Sequence, residues 1–309
     1  MKSAAPTLNT IKKHRTMKKV MMALSAALLL TACEKAVMSE EQPTPSTNTQ
    51  NGKKFTFTTK GNFLDESWKT RGYLSENAEQ ITDLWLLDYM DGNLVQQLHQ
   101  VPTDDGWGRP AMTLAYGSHH IYFVASRGDS PVVNTELKTI TWDTTRDTFW
   151  KDYEVDVKKT SNGNRAVTLD RVATKLKVTI LDRVPDGAAK ISLTPDEWWY
   201  GIDYTNGQPV ACDKKERSVA IPSSLIGTEG SLSFSIFGMC TASEWTTDVV
   251  VRIYDTDGKV LGSATIENVP LKGGRSTEYS GSVFTEPLMA ASTTISLNSD
   301  WPTAYIGTW

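Results

Sequence analysis

Alternation of apolar and polar side chains, with a period of two residues, constrains the fold of this chain more than any other sequence feature. It is clearest in residues 121–125, 173–180, 231–236 and 249–254, and a short Phe-Thr repeat occupies residues 55–59. Successive side chains of a β-strand point to opposite faces of its sheet, so each segment predicts a half-buried strand. Outside the N-terminus, no long segment has the apolar spacing of a helix. The sequence therefore predicts an all-β fold.

Turn signals divide these strands into hairpins and into two halves. Asp91-Gly92 lies between two apolar segments, and Asp257-Gly258 lies between two others. This pair is favoured where a tight hairpin turn needs a positive φ. A polar turn cluster at residues 161–164 separates the halves, and 309 residues, 39% of them hydrophobic, can fill two ordinary domains. We predict β-sandwich domains at residues 54–164 and 165–309, each long enough for seven or eight strands.

The N-terminus has the features of an export signal followed by a lipid-attachment site. Two lysines precede an apolar run at residues 20–30, which is shorter than the ~20 residues that a membrane-spanning helix needs. Leu30-Thr31-Ala32-Cys33 resembles a bacterial lipobox, in which the cysteine thiol is acylated and the chain is cut before it. We predict a signal peptide at residues 1–32 and a lipid (palmitate) on Cys33 that anchors the protein in the outer membrane. A soluble exported protein with an ordinary signal cut is the alternative.

Without the predicted signal peptide, the chain is a polar tether followed by an acidic body. Residues 33–53 are rich in Pro, Ser, Thr and Asn, so we predict a flexible spacer there. The whole chain has a formal net charge of −4, but residues 1–32 carry six basic side chains and no acidic one. The remainder has 26 basic and 36 acidic residues, a net charge of −10. This balance argues against nucleic-acid binding, which needs a basic surface.

The chain shows no motif typical of an enzyme. His119 and His120 are neighbours on a predicted strand and point to opposite faces, so one metal ion would not easily bind both; His99 stands apart. Residues 255–258 resemble the start of a calcium loop, but the distal Glu is missing and a turn is the better interpretation. No phosphate-binding loop, nucleophile elbow or metalloprotease motif occurs. We predict no catalytic residue, no cofactor and no metal site.

Two cysteines and three consecutive aromatic residues are further candidates for special roles. Cys212 and Cys240 remain once Cys33 is lipidated, and in an exported protein they could form a disulfide or stay as two buried thiols. Trp198, Trp199 and Tyr200 are consecutive, and neighbours on a strand cannot all face one core. At least one ring should therefore lie at the surface or cover an edge. Such a surface could stack on sugars or form a protein interface.

Three segments, taken in order, resemble motifs of the fimbrillin superfamily, whose members build type V pili. Residues 117–125 (GSHHIYFVA) resemble the strand "G-x-Y-x-hydrophobic-x-hydrophobic-A" of that family. Residues 171–176 (RVATKL) are similar to the strand "R-h-x-A-K-h" that opens its second domain, with Thr174 inserted. Residues 275–281 (RSTEYSG) resemble its late "R-x-T-x-Y-x-G" segment. The lipobox and the first Asp-Gly hairpin fit the same family.

This resemblance implies two transthyretin-like β-sandwiches and a pilus subunit exported as a lipoprotein. In the family's shaft subunits, an Arg-specific protease removes the first strand, and a strand of the next subunit fills the groove by β-augmentation. Here residues 55–59 would be the removable strand and Arg71 the cleavage residue, although Arg71 could equally be a loop arginine. The tail at residues 301–309 favours the anchor or accessory branch. This tail, or a strand at residues 293–297, is the candidate donor.

We therefore predict a non-enzymatic fimbrial subunit, accessory or anchoring, that contributes to cell adhesion at the cell surface. Its expected partners are other fimbrial subunits, bound by donor-strand exchange, the outer membrane through Cys33, and a ligand on a host or bacterial surface. The alternative is a surface glycan-binding lipoprotein of a polysaccharide-uptake system, which would use Trp198, Trp199 and Tyr200.

Overall fold

The computed structural model describes residues 51–61, 72–73, 81–240, 244–284 and 303–309. Their regular structure is almost entirely β, with a short 3-10 helix at Ser223–Leu225, which confirms the predicted fold class. No helix among these residues is long and apolar enough to cross a membrane. The strands are β1 (Gly52–Gly61), β2 (Gly72–Tyr73), β3 (Asp83–Met90), β4 (Asn93–Gln100), β5 (Ala111–Ala115), β6 (Gly117–Ser126), β7 (Val132–Asn134), β8 (Thr139–Thr141), β9 (Thr148–Val157), β10 (Asn164–Arg171), β11 (Ala173–Ile180), β12 (Ala188–Pro195), β13 (Trp198–Asp203), β14 (Gln208–Asp213), β15 (Arg217–Ala220), β16 (Leu232–Met239), β17 (Trp245–Asp255), β18 (Val260–Leu271), β19 (Ser276–Gly281) and β20 (Thr303–Thr308).

Eight strands of the N-terminal half form one sheet, which we call the first sheet. Its order is β2-β1-β10-β9-β6-β3-β4, and β5 pairs with β1 on the same side as β2. The Gln96 side-chain amide of β4 donates to the Thr113 carbonyl of β5 at 3.0 Å, so the two ends of the sheet meet around its core. That core includes Phe55, Phe57, Leu86, Ile121, Phe123 and Phe149.

A smaller sheet joins the two halves of the chain. Its order is β14-β13-β8-β7, and the pairing of β8 with β13 sets Ile140 opposite Ile202. It packs on the outer face of the first sheet, where the hydroxyls of Tyr89 and Tyr204 are 2.7 Å apart. The Trp150 indole also donates to the Tyr204 carbonyl at 2.7 Å. Backbone pairing and side-chain packing thus both connect the halves.

The C-terminal half forms a sandwich of two four-stranded sheets, as the sequence predicts. Their orders are β16-β11-β19-β20 and β15-β12-β17-β18. β11 runs antiparallel to β16 and parallel to β19. Inward-facing aliphatic side chains fill the space between the sheets, because alternate residues of each strand share a face. They include Leu176, Val178, Ile180, Ile191, Leu193, Val249, Val251 and Ile253.

The polar cluster at residues 161–164, which the sequence suggests as a domain boundary, lies inside the first sheet. It forms the turn between β9 and β10, where the Ser161 N–H donates to the Lys158 carbonyl at 3.0 Å. β10 then pairs with both β1 and β9, so the first sheet continues to Arg171. The change from this sheet to the sandwich falls at Val172, and the described residues from 51 onwards belong to one compact unit.

Both predicted Asp-Gly turns occur where the sequence places them. Asp91 and Gly92 connect β3 and β4 with φ values of 49° and 78°. Gly258, with a φ of 82°, lies in the turn between β17 and β18. These positive φ values explain the choice of Asp-Gly, because most other residues adopt them only with strain.

Candidate functional site

The residues predicted as a removable strand, 55–59, lie within β1, which has neighbours along both edges. On one side, residues 56–61 run parallel to residues 164–169 of β10. On the other side, residues 52–56 run antiparallel to β5, and the end of β1 pairs with β2. We call this place between β10 on one side and β5 and β2 on the other the β1 seat. β1 is therefore an inserted strand of the first sheet.

Alternate side chains of β1 fill the core of the first sheet. Phe55, Phe57 and Thr59 are each 0% exposed. The Phe57 ring meets Phe123 and Tyr153 edge-on, with centroid separations of 5.3 and 5.8 Å. Burial of one Phe side chain contributes about 1.5–3 kcal/mol, so β1 stabilises the sheet by several kcal/mol. Departure of β1 would leave an apolar groove.

The backbone of the β1 seat supplies hydrogen-bond acceptors to β1. The Phe57 N–H donates to the Pro110 carbonyl at 2.9 Å. The Gly108 carbonyl accepts twice from Thr59, from its N–H at 3.1 Å and from its hydroxyl at 2.7 Å. Buried backbone acceptors require donors, so a vacated seat would offer these carbonyls to an incoming strand. This combination of apolar pockets and free backbone groups is the chemistry of β-augmentation.

Gly163 permits the closest approach between β1 and the rest of the first sheet. Its carbonyl accepts the Thr56 N–H at 2.7 Å. A Cβ atom added at residue 163 would lie 2.3 Å from the Lys54 carbonyl oxygen, far inside van der Waals contact. Seating of β1 in this register therefore requires glycine at residue 163.

Arg71 and Cys33 lie outside the described residues, but the neighbours of Arg71 are informative. Gly72 and Tyr73 form β2, which pairs with Gly61 and Lys60 at the end of β1. A cut between Arg71 and Gly72 would separate β1 from the rest of the chain. β1 would then stay in its seat only through its pairing and side-chain packing.

The candidate aromatic surface residues Trp198, Trp199 and Tyr200 are not placed alike by the structure, and Trp198 does not reach the surface. Trp198 is 0% exposed in the sandwich core, and its indole N–H donates to the Phe237 carbonyl at 2.8 Å. Trp199 and Tyr200 are half-buried, and Trp199 packs with the cluster of the smaller sheet. Alternating side chains of β13 enter different cores, so the three rings do not form one exposed platform.

The candidate disulfide between Cys212 and Cys240 is also corrected. The structure does not join the two residues; Cys212 is exposed on β14, whereas Cys240 is buried just after β16. Burial raises the pKa of the Cys240 thiol to about 11, which keeps it protonated and unreactive at neutral pH.

His119 forms a buried charged network beside the β1 seat. Its Nδ1 lies 2.7 Å from Asp88 Oδ1, and its Nε2 lies 3.0 Å from the Ala115 carbonyl at the end of β5. The Gln96 amide donates to the other Asp88 oxygen at 3.0 Å. Burial lowers the pKa of His119, but the hydrogen bond and charge of Asp88, with the Ala115 carbonyl, outweigh it and raise the pKa above 6.5. Both ring nitrogens face acceptors, so a doubly protonated imidazolium fits this site.

His99 and His120, the other histidines in the described part of the chain, lie on the surface, and His120 faces two carboxylates. His120 Nδ1 is 3.3 Å from Asp152 Oδ1 and 3.9 Å from Glu154 Oε1. One ligand atom from each of the three residues lies within 4.8 Å of the others, so a metal ion could bind there, although an ion pair explains the arrangement as well. His99 stacks on Trp85 with a centroid separation of 4.8 Å. His119 and His120 do point in different directions, as predicted.

No protein-family model and no curated protein sequence matches this chain. Among solved structures, it is similar to a candidate adhesin from Bacteroides ovatus, with 13% identity, 69% of this chain and 77% of that chain covered, and a TM-score of 0.48. It is also similar to the fimbrial anchor protein Mfa2 from Porphyromonas gingivalis, with 11% identity, coverages of 69% and 82%, and a TM-score of 0.40. The tip fimbrial protein Mfa3 of the same organism is similar as well, with 12% identity and a TM-score of 0.40. The match covers 74% of this chain and 94% of that chain.

We expect Gly163→Ala to weaken the seating of β1. The added Cβ would collide with the Lys54 carbonyl, so β1 would shift or leave, and the free energy of unfolding should fall by about 2 kcal/mol or more. Chemical denaturation measures this change. Asn164→Ala, an exposed neighbour, is the control and should change stability by less than about 0.5 kcal/mol. Equal effects of the two substitutions would contradict the close approach at Gly163.

We expect the charged His119 to stabilise the fold below neutral pH. Because its pKa is raised in the folded state, its contribution is complete below pH 6.5 and is lost as pH rises through the folded pKa. Denaturation at several pH values should therefore show a fall in stability in this window, at most about 1.4 kcal/mol per pH unit. In His119→Gln, this fall of the unfolding free energy with pH should be lost. The control variant His99→Gln should show the same fall as the wild type. A slope unchanged in His119→Gln would refute the assignment.

Proposed function

We propose that this chain is an accessory or anchoring subunit of a fimbrium that accepts a strand from a neighbouring subunit at the β1 seat. The observation that carries the proposal is the placement of β1, an N-terminal strand with Phe55, Phe57 and Thr59 fully buried and with a candidate cleavage residue, Arg71, directly before β2. An exchanged strand with apolar residues at alternate positions would restore the same contacts. Cell adhesion through the assembled fimbrium is part of the proposal.

The proposed location is the cell surface, where lipid on Cys33 would anchor the chain in the outer membrane for as long as β1 keeps its seat; a cut at Arg71 followed by departure of β1 would remove this anchor together with the first strand. The lipobox at residues 30–33 supports this assignment, and residues 34–51 would separate the sheets from the membrane. The role corresponds to that of the anchor and tip proteins with which the chain shares similarity. The alternative function, glycan binding, depended on an aromatic platform of three rings. Trp198 is buried and cannot take part in such a platform.

A complementation experiment tests strand exchange. An Arg-specific protease should cut the purified protein after Arg71, and the nicked protein should release its N-terminal fragment slowly and form SDS-resistant oligomers. A synthetic peptide of residues 52–61 should occupy the vacated seat, block oligomer formation and restore the melting temperature. The same peptide with alanine at both Phe positions should not, because each lost ring costs about 3–5 kcal/mol.

Arg71→Gln is the matched control, because it removes the candidate cut and leaves β1 unchanged. This variant should stay intact and monomeric under the same protease treatment. If nicked wild-type protein neither oligomerises nor binds the peptide of residues 52–61, strand exchange at the β1 seat is wrong. Uncut Arg71 in protein recovered from fimbriated cells would limit the role to an anchor that keeps its own first strand.

Lipid attachment is tested separately in cells. Labelled palmitate should be incorporated into the wild-type protein, and the protein should appear in the outer-membrane fraction. Cys33→Ala should abolish the labelling and release the protein from the membrane, whereas Cys212→Ala should retain both properties. Labelling that persists in Cys33→Ala would refute the lipobox assignment.

A further inference from the structure

The C-terminal sandwich has an open side between β15 and β16. Among the described residues, each of these strands pairs on one edge only, β15 with β12 and β16 with β11. Residues 143–146 lie across this side, and the partly open cavity beside them measures about 340 Å³. We call it the β15–β16 cleft. Its volume falls at the low end of the ~300–1,000 Å³ that ligand sites occupy.

The backbone of β16 projects hydrogen-bonding groups into this cleft. The Phe237 carbonyl accepts hydrogen bonds from the Trp198 indole at 2.8 Å and from the Thr145 hydroxyl, so it points away from β11. Alternate residues of a strand project their backbone N–H and C=O groups to the same edge. The N–H and C=O groups of Ser235 and Ser233 therefore also point away from β11, towards the open side.

The register of β11 supports the same orientation. Lys175 lies opposite Phe237, and its N–H donates at 3.1 Å to the Arg275 carbonyl on the other side of β11. Residues 175 and 237 are therefore a pair without mutual backbone hydrogen bonds. Lys177 with Ser235 repeats this arrangement two residues along.

β15 presents a second, shorter edge to the cleft. The Ile221 N–H donates to the carbonyl of Ala189, a residue of β12, at 2.8 Å. Alternation then directs the backbone groups of Ser218 and Ala220 away from β12. Val219 is 44% exposed at the same edge, so an apolar contact is available beside the polar backbone.

The charged side chains of the cleft leave a positive balance. Glu216 accepts hydrogen bonds from Lys190 at 3.0 Å and from Tyr254 at 2.6 Å. Arg217 donates to Asp213 at 2.8 Å.

Arg146 and Lys215 are the cleft's remaining cations. Both are exposed, and neither has an ion pair among the residues that the structure describes. The cleft is lined by two carboxylates, Asp143 and Glu216. Within the described part of the chain, Glu216 has an ion pair to a basic side chain and Asp143 has none. Two cations against one anion favour a ligand with negative charge.

We propose that the β15–β16 cleft binds an extended, acidic segment of another protein, which adds to the free edge of β16 as a strand. Within the described ranges no neighbouring strand pairs with the outward backbone groups at residues 233 and 235, and these groups repeat with the spacing of a strand, which suits a polypeptide better than a sugar. Carboxylates of the segment then interact with Arg146 and Lys215. Since no strand must leave this cleft, binding is independent of the β1 seat and of a cut at Arg71.

A labelled acidic peptide tests the proposal with the uncut full chain. The probe is an eight-residue capped peptide of alternating Glu and Val carrying a fluorophore, and fluorescence anisotropy measures its affinity. We expect saturable binding that weakens with salt, and the Lys-Val analogue should not bind. Arg146→Gln with Lys215→Gln should lower the affinity at least about tenfold, whereas Lys259→Gln, in the β17–β18 turn, should leave it unchanged.

A second set of changes tests the edge pairing itself. Ser235→Pro removes the N–H that faces the cleft, without loss of a hydrogen bond to β11, and should abolish binding. Methylation of alternate backbone nitrogens of the peptide should do the same without any change to the protein. Unchanged binding after both changes would overturn the proposal. Absence of binding, binding of an acidic sugar in place of the peptide, or dimerisation of the chain through this edge would overturn it as well.

Discussion

The seating of β1 is the interaction on which the first sheet depends. β1 brings Phe55 and Phe57 to the centre of the core, and it supplies donors to carbonyls at residues 108, 110 and 163. The strands β9, β6, β3 and β4 form a continuous antiparallel series without it. Exchange of β1 for another strand of the same alternation would therefore leave that series intact, which is the physical basis for proposing assembly at this position.

The buried charged network strengthens the frame around the β1 seat. Asp88 of β3 and His119 of β6 interact directly, Gln96 of β4 binds the same carboxylate, and His119 reaches the Ala115 carbonyl of β5. Ala115 lies opposite Gly52, the first residue of β1. Loss of either charged partner would leave an uncompensated buried charge, which is strongly destabilising. One polar cluster thus links four strands and fixes the end of β5 that lines the seat.

Local features were predictable from the sequence, and features that depend on distant strands were not. The alternation at residues 173–180 correctly predicts β11, because burial with period two is a property of one strand. The cluster at residues 161–164 has the composition of a linker but is a hairpin turn, because β10 pairs with β1 far earlier in the chain. The full burial of Trp198 depends on the space beside Gly238, where an added Cβ would lie 2.7 Å from the indole.

The β1 seat and the β15–β16 cleft use the same backbone chemistry with opposite side-chain character. The seat has pockets for two Phe rings, so its occupant is selected by size and by apolar alternation. The cleft is small and carries Arg146 and Lys215, so its occupant is selected by charge. The rest of the chain after residue 32 has a net charge of −10, so the local excess of positive charge at Arg146 and Lys215 would favour acidic segments at this side. Two such edges would allow one subunit to engage two different strands without competition between them.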